Sequence, residues 1–214
     1  KLLKKKIFML SNLVLRSNHL FQTIKKQIKK KKIFYIEADY LWGRINKLFE
    51  WRSKVRNYTL TKGAMIHMID LINWIIELKP KHVYAVGSDK LTKNTMFKKK
   101  SLVLAVLEYP SNIIVKISAN AVAKHEHFHE LKIFTKDDVL LNNIFGKYKI
   151  NNNRIKKMPG IYPDKSNRKN LIRSFVDFLK NPNLKPIMTH KEQFDLMKIC
   201  FAIDNSILSK KRIK

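Results

Sequence analysis

Imidazole is the one ordinary side chain that can accept a proton near neutral pH without help, and two of this chain's histidine arrangements could use that ability. His67 lies in an apolar run with Asp70 three residues on. On a helix that spacing makes the two side chains neighbours, so His67 is either a proton acceptor oriented by a carboxylate or a core histidine satisfied by one. His125, His127 and His129 alternate in the second arrangement, and on a strand they share one face. Three imidazoles invite a zinc reading. Same-face neighbours on a single strand do not wrap a tetrahedral ion without ligands from elsewhere, so the stretch reads as a strand facing a substrate or an interface. Cys200 is the only cysteine, which excludes an intrachain disulfide and suits a reducing cytoplasm.

Dinucleotide binding on a Rossmann fold needs closely spaced glycines at a helix N-terminus, where backbone can approach the pyrophosphate. The five glycines are Gly43, Gly63, Gly87, Gly146 and Gly160, and no two form G-x-G. A P-loop is missing as well. The chain by itself is therefore expected to bind no nicotinamide dinucleotide.

Periodicity supplies the elements that must position these residues. Residues 1–6 read as the tail of a helix and Ile7 to Leu15 as a buried strand. A helix capped by Ser17 or Asn18 buries Leu20, Phe21, Ile24 and Ile28. Strands follow at Ile33 to Tyr40, His82 to Ser88, Ser101 to Glu108, Ile113 to Ala121 and His125 to Thr135. Lys62 to Glu77 is a helix apolar almost all round. Asn142 to Asn170 reads mostly as loop, and two helices, Leu171 to Leu179 and Lys191 to Ser209, close the chain. The fold class is α+β: an open, mostly antiparallel sheet covered by helices on one face. Residues 1–18 read as the end of a different, preceding domain, with 19–214 forming the second.

A net charge of +29 would attract nucleic acid or an anionic membrane. The cations are overwhelmingly scattered lysines rather than the arginines that read base edges. We therefore expect neither specific nucleic acid nor membrane as partner; a non-catalytic basic binding protein contacting nucleic acid or acidic surfaces is the alternative. The apolar run after the first lysines is too short to span a bilayer and has no small-residue cleavage site. Lys1 in place of Met hints that a natural N-terminus is missing.

The segment from Lys62 through His67 and Asp70 to Trp74 resembles the central helix of the glucose–fructose oxidoreductase/inositol dehydrogenase (Gfo/Idh/MocA) family, which reads G-x-H-x-x-D-hydrophobic-x-x-W. Asn12 to Asn18 resembles the strand that ends the family's Rossmann domain, and Tyr35 to Tyr40 the first strand of its second domain. Ile172 to Leu179 and Met197 to Ile203 resemble its terminal helices. The likeness runs in order over nearly the whole chain.

That resemblance implies the C-terminal, substrate-binding and assembly half of an NAD(P)-dependent oxidoreductase acting on a sugar, sugar nucleotide or cyclitol, with a homo-oligomer contact on the open sheet face. It implies His67 as the catalytic base and Asp70 as its orienting partner. Arg16, Lys62, His125, His127 and Tyr162 become substrate contacts; no cofactor or metal ligand is assigned. Trp51 and Arg52 read as packing or pocket-entrance residues. Two departures stand out. Gly63 replaces the aspartate that many members carry four residues before the histidine, and no equivalent of the family's Glu-Lys-Pro lysine exists here.

Overall fold

Ile33–Leu41 alternates in burial along its length, with Ile36, Ala38 and Tyr40 buried and Tyr35, Glu37 and Asp39 turned the other way. It is the first strand, β1, of the computed structural model, which describes residues 8–214. The others are β2 (His82–Ser88), β3 (Leu102–Glu108), β4 (Ile114–Asn120), β5 (Phe128–Thr135), β6 (Val139–Asn143), β7 (Gly146–Asn151) and β8 (Arg154–Lys157). They form one eight-stranded sheet in the order β2-β3-β4-β1-β5-β6-β7-β8. Only β1 and β4 pair in parallel. A parallel pair needs a long crossover, and here the crossover carries the central helix and the β2–β3 hairpin. The expected α+β sheet is therefore present.

Registration lines up one row across the covered face: Ala85, Ala105, Ile117, Ala38 and Leu131 sit opposite one another on successive strands, with alanine at three of the five places. The short side chains of Ala38, Ala85 and Ala105 leave room there for the covering helices. The first of these is α1 (His19–Ile28), whose Asn18 cap accepts from the Leu20 N–H and which buries the expected Leu20, Phe21, Ile24 and Ile28. Two short helices, α2 (Asn46–Phe49) and α3 (Trp51–Lys54), occupy the segment after β1. The central helix begins as a π-helical turn, Thr61–Met65, and continues as α4 (Ile66–Ile76), ending at Glu77 in the left-handed region. Its buried residues, Met68, Ile69, Asp70, Leu71, Ile72 and Ile75, run nearly all round it, as the sequence pattern requires.

Two helices close the chain. Helix α5 (Asn167–Lys180) buries only Asn167 and Leu171. Helix α6 (His190–Ser209) starts with a capping box between Thr189 and Glu192 and covers the edge strand β2. Ala85 N–H donates to Ser206 Oγ at 2.9 Å, and Val83 and Ile213 exchange backbone bonds at 2.9 Å. Cys200 is buried in α6, whereas Phe194 on the same helix is 45% exposed. Among the described residues no helix is long and apolar enough to cross a membrane.

The open face is divided. Tyr84, Val86, Leu104 and Val106 expose apolar surface on β2 and β3. Next to them Lys116 pairs with Asp39 at 2.7 Å and Lys132 with Glu37 at 3.1 Å, a charged ladder across β4, β1 and β5. The apolar half is the part suited to a partner.

Three expectations need correction. Residues 142–170 are not mostly loop, because β7 and β8 add a hairpin whose turn is made by Asn152 at φ +47°. These strands bury little: in β7 Tyr148 and Ile150 alternate with lysines but are only half-buried, and β8 is exposed throughout. The strand expected from His125 begins only at Phe128. Finally, the strand expected over 7–15 is absent from its described part, and a 3-10 turn, Val14–Ser17, ends the stretch. A strand needs a ladder partner. Here the Met9 N–H instead donates to His190 Nε2 at 2.5 Å, while Gln193 of α6 donates to the Met9 carbonyl at 3.1 Å. The helix expected over residues 1–6 lies outside the described residues.

Arg16 ties this N-terminal stretch to the core. Only 3% exposed, it bonds both Asp70 carboxylate oxygens through Nε at 2.9 and 3.0 Å, and Glu192 through a terminal nitrogen at 2.6 Å. Removing one partner of a buried pair strands the other, at a cost of about 3–5 kcal/mol. Urea unfolding of Asp70→Asn or Arg16→Met should show a loss of that size, and Arg16→Met/Asp70→Leu should recover most of it. A double variant no better than either single one would mean that the pair is not what these variants disturb.

Candidate functional site

The sheet register makes the site. Tyr40, near the end of β1, lies directly opposite His129 on β5, and their rings meet edge to face at 4.7 Å. His67 descends from α4 and stacks on Tyr40 at 5.6 Å, with the His129 ring 6.0 Å away. His127, just before β5, closes the group at 5.2 Å from Tyr40 and 5.0 Å from His129. Tyr162 arrives from the loop before α5, and its hydroxyl bonds His129 Nδ1 while its ring meets Phe21 and Phe128 edge to face. Five rings from four parts of the chain thus share one end of the covered face.

Of the residues expected at the site, His67, His127 and Tyr162 come together. Arg16 and Lys62 are turned to carboxylates instead: Arg16 to Asp70 and Glu192, and Lys62 to Asp204 of α6 at 3.5 Å. Asp70 therefore orients Arg16 rather than His67. His125 precedes the strand and bonds the Glu126 carbonyl through Nδ1 at 2.7 Å, apart from the cluster. Two members of the group were not expected as site residues, Tyr40 and His129. The signal for both was the alternation that put them on the inner faces of their strands.

The missing family aspartate has a physical counterpart. A Cβ on Gly63 would fall 2.0 Å from the Tyr58 hydroxyl and 2.3 Å from the ring carbon bearing it. Tyr58 thus fills the space into which a side chain at position 63 would project.

Burial governs the electrostatics. It pulls His67 down to about 4, with the nearby His127 adding to the effect. It also holds His129 well below the usual histidine range, assisted by His67 and His127, and lowers His127. Burial raises the Tyr40 and Tyr162 hydroxyls. At neutral pH the imidazoles are uncharged, and each offers one ring nitrogen as an acceptor. His67 is half-buried, and its Nδ1 is sealed from solvent with no hydrogen-bond partner among the described residues. Among the described residues no group of three or more His, Cys, Asp or Glu side chains is placed to hold a metal ion. Nor do the glycines fit a dinucleotide: Gly63, at a helix start, faces Tyr58, Gly43 presses on the His125 carbonyl, and Gly160 abuts Leu20.

A family model described as the GFO/IDH/MocA C-terminal domain matches residues 21–140. This chain belongs to the GFO/IDH/MocA family. No curated protein matches its sequence. Among solved structures it is similar to a putative oxidoreductase from Thermotoga maritima, at 13% identity and a TM-score of 0.77, covering 98% of this chain and 64% of that one. It is also similar to UDP-N-acetylglucosamine 3-dehydrogenase GnnA from Acidithiobacillus ferrooxidans, at 16% identity and a TM-score of 0.76 over 97% of this chain and 64% of that one. A third is scyllo-inositol dehydrogenase from Lactobacillus casei with bound NAD(H) and scyllo-inositol, at 14% identity and a TM-score of 0.76 over 99% of this chain and 66% of that one. At these identities the likeness is one of fold. The GFO/IDH/MocA chain thus spans somewhat less than two thirds of the length of these structures.

The lowered imidazoles make a pH prediction. A histidine whose folded pKa lies below its unfolded value contributes stability that is complete above the unfolded pKa, near 6.5, and is lost as pH falls toward the folded value. The thermal midpoint should therefore drop as pH is lowered from 7 to 4. His129→Asn should flatten that slope, and equal slopes for wild type and variant would overturn the assignment.

Proposed function

We propose that this chain supplies the proton-accepting side and most of the substrate wall of an NAD(P)-dependent oxidoreductase acting on a hydroxyl or ketone of a sugar, sugar nucleotide or cyclitol. The observation that supports it is the convergence of His67, His127, His129, Tyr40 and Tyr162 at one end of the sheet, in a chain of a family whose members carry such activities. Oxidising a carbinol requires a base for its hydroxyl proton, and burial keeps His67 in the neutral, accepting form. Tyr40 fixes the ring by stacking. His127, His129 and the Tyr162 hydroxyl supply the hydrogen-bonding groups that can hold neighbouring hydroxyls of a polyol.

The dinucleotide is assigned to residues beyond this chain, since no pair of glycines here can cradle its phosphates. NADH titrated against this chain alone should give no saturable fluorescence change, whereas a binding isotherm in the micromolar range would call for a nucleotide site of a new design. His67 ring resonances should move when a sugar or cyclitol is added, and the movement should be gone in His67→Ala. Unmoved resonances with every sugar tried would remove the base assignment. The lone, buried thiol of Cys200 fits a reducing, cytoplasmic setting.

Self-association through the open face belongs to the same reading. Tyr84, Val86, Leu104 and Val106 are its apolar contact, opposed by mutual repulsion at +29. Sedimentation should show a salt-promoted dimer or higher oligomer, because added salt screens the charge. Val86→Lys/Val106→Lys should restore a monomer, and a wild-type monomer at high salt and high concentration would refute the contact.

A further inference from the structure

Only eight of the 45 cationic side chains are arginines, and three of them, Arg44, Arg52 and Arg56, fall in the segment 44–56 that follows β1. Elsewhere Arg16 and Arg212 are ion-paired, to Asp70 and Glu192 and to Glu108, while Arg154, Arg168 and Arg173 are exposed and dispersed. Among the described residues, neither Arg44, Arg52, Arg56 nor the adjacent Lys47 has a carboxylate within ion-pair distance. The segment carries one carboxylate, Glu50, against five cationic side chains, so its net charge stays strongly positive.

The segment is also fixed against the site. The half-buried Arg52 guanidinium lies 5.2 Å from the Trp42 ring and 4.4 Å from the Trp51 ring. Trp42 meets Tyr40 edge to face at 6.3 Å, and Tyr40 stacks on His67. At the start of the segment Gly43 takes φ +61°, and a Cβ there would fall 1.7 Å from the His125 carbonyl oxygen. Only glycine lets the backbone lie so close to the turn that carries His125 and His127. Arg44 and Lys47 both bear electrostatically on His127, and Arg44 and Arg52 on Tyr40. The cationic segment begins where the imidazole cluster ends.

We infer that residues 44–56 bind a phosphoryl group on the substrate, so that the site takes a phosphorylated sugar or a sugar nucleotide rather than a neutral cyclitol. This rests on the reading of the His67 cluster as the place of the sugar hydroxyl. A planar guanidinium matches two phosphate oxygens at once, which a lysine ammonium does not. Stacking on tryptophan holds Arg52 in place before the anion arrives, so little ordering cost remains on binding. Trp51 is 54% exposed beside it, a flat apolar surface against which a nucleobase can lie.

The test uses this chain, with tryptophan fluorescence and calorimetry at physiological salt. The ligands are UDP-N-acetylglucosamine, UDP, glucose 6-phosphate, inorganic phosphate and myo-inositol. The phosphorylated ligands should bind more tightly than myo-inositol, and comparison of UDP with glucose 6-phosphate shows whether a nucleotide or a sugar phosphate is preferred. Arg44→Gln and Arg52→Gln should each weaken the phosphorylated ligands about tenfold or more, the loss expected for one charge-assisted hydrogen bond. Lys30→Gln/Lys32→Gln, which removes two exposed charges after α1, should leave binding unchanged. The inference is overturned if no phosphorylated ligand binds, if myo-inositol binds as tightly, or if the lysine control weakens binding as much as the arginine variants. Phosphate bound through the arginines with His67 unmoved by every sugar would leave this inference standing and remove the oxidoreductase reading. A neutral sugar that moves His67 while the arginine variants change nothing would do the reverse.

Discussion

Arg16 is a guanidinium sealed from water, and the arrangement of the helical layer depends on how its charge is met. Its partners come from two different elements: Asp70 in the middle of α4 and Glu192 at the first turn of α6. Burial pushes the Asp70 carboxyl up while the doubly bonded guanidinium pulls against it. Such a pair adds little net stability compared with apolar packing, but breaking it is costly, so it selects one arrangement of the three segments. Because Asp70 lies one turn beyond His67 on the same helix, fixing Asp70 also fixes the azimuth at which His67 meets the sheet.

The sheet supplies the other half of that meeting. One-residue slippage between β1 and β5 would carry Tyr40 or His129 to the opposite face. The core-facing alternation of Ile36, Ala38 and Tyr40 against Ile133, Leu131 and His129 forbids it. The hydrophobic pattern that stabilises the sheet is thus also what brings an imidazole opposite a phenol at its end. The π-helical entry to α4 serves the same region, since it sets Gly63 against the Tyr58 ring and leaves an aromatic group where the family resemblance anticipated a carboxylate.

Much of this was legible beforehand. The stripe of α1, the alternation of β1 to β4 and the all-round apolar character of the central helix each follow from side-chain period alone, and each element formed within a few residues of its expected place. Strands β7 and β8 escaped because they bury little apolar surface and their Asn and Gly residues make turns inside a hairpin rather than a loop.

By itself the sequence determined the fold class, the family likeness and the want of a glycine cradle, because these depend on local periodicity and on which residue types are present at all. It also determined that His67 would sit on a buried helix beside Asp70. Only the tertiary structure decided that Asp70 serves Arg16, that Lys62 turns to Asp204, and that His129 rather than His125 stands in the cluster. Those outcomes depend on which charge lies nearest in space and on where β5 begins. Both are settled by packing between segments far apart in the chain, and no spacing along the chain records them.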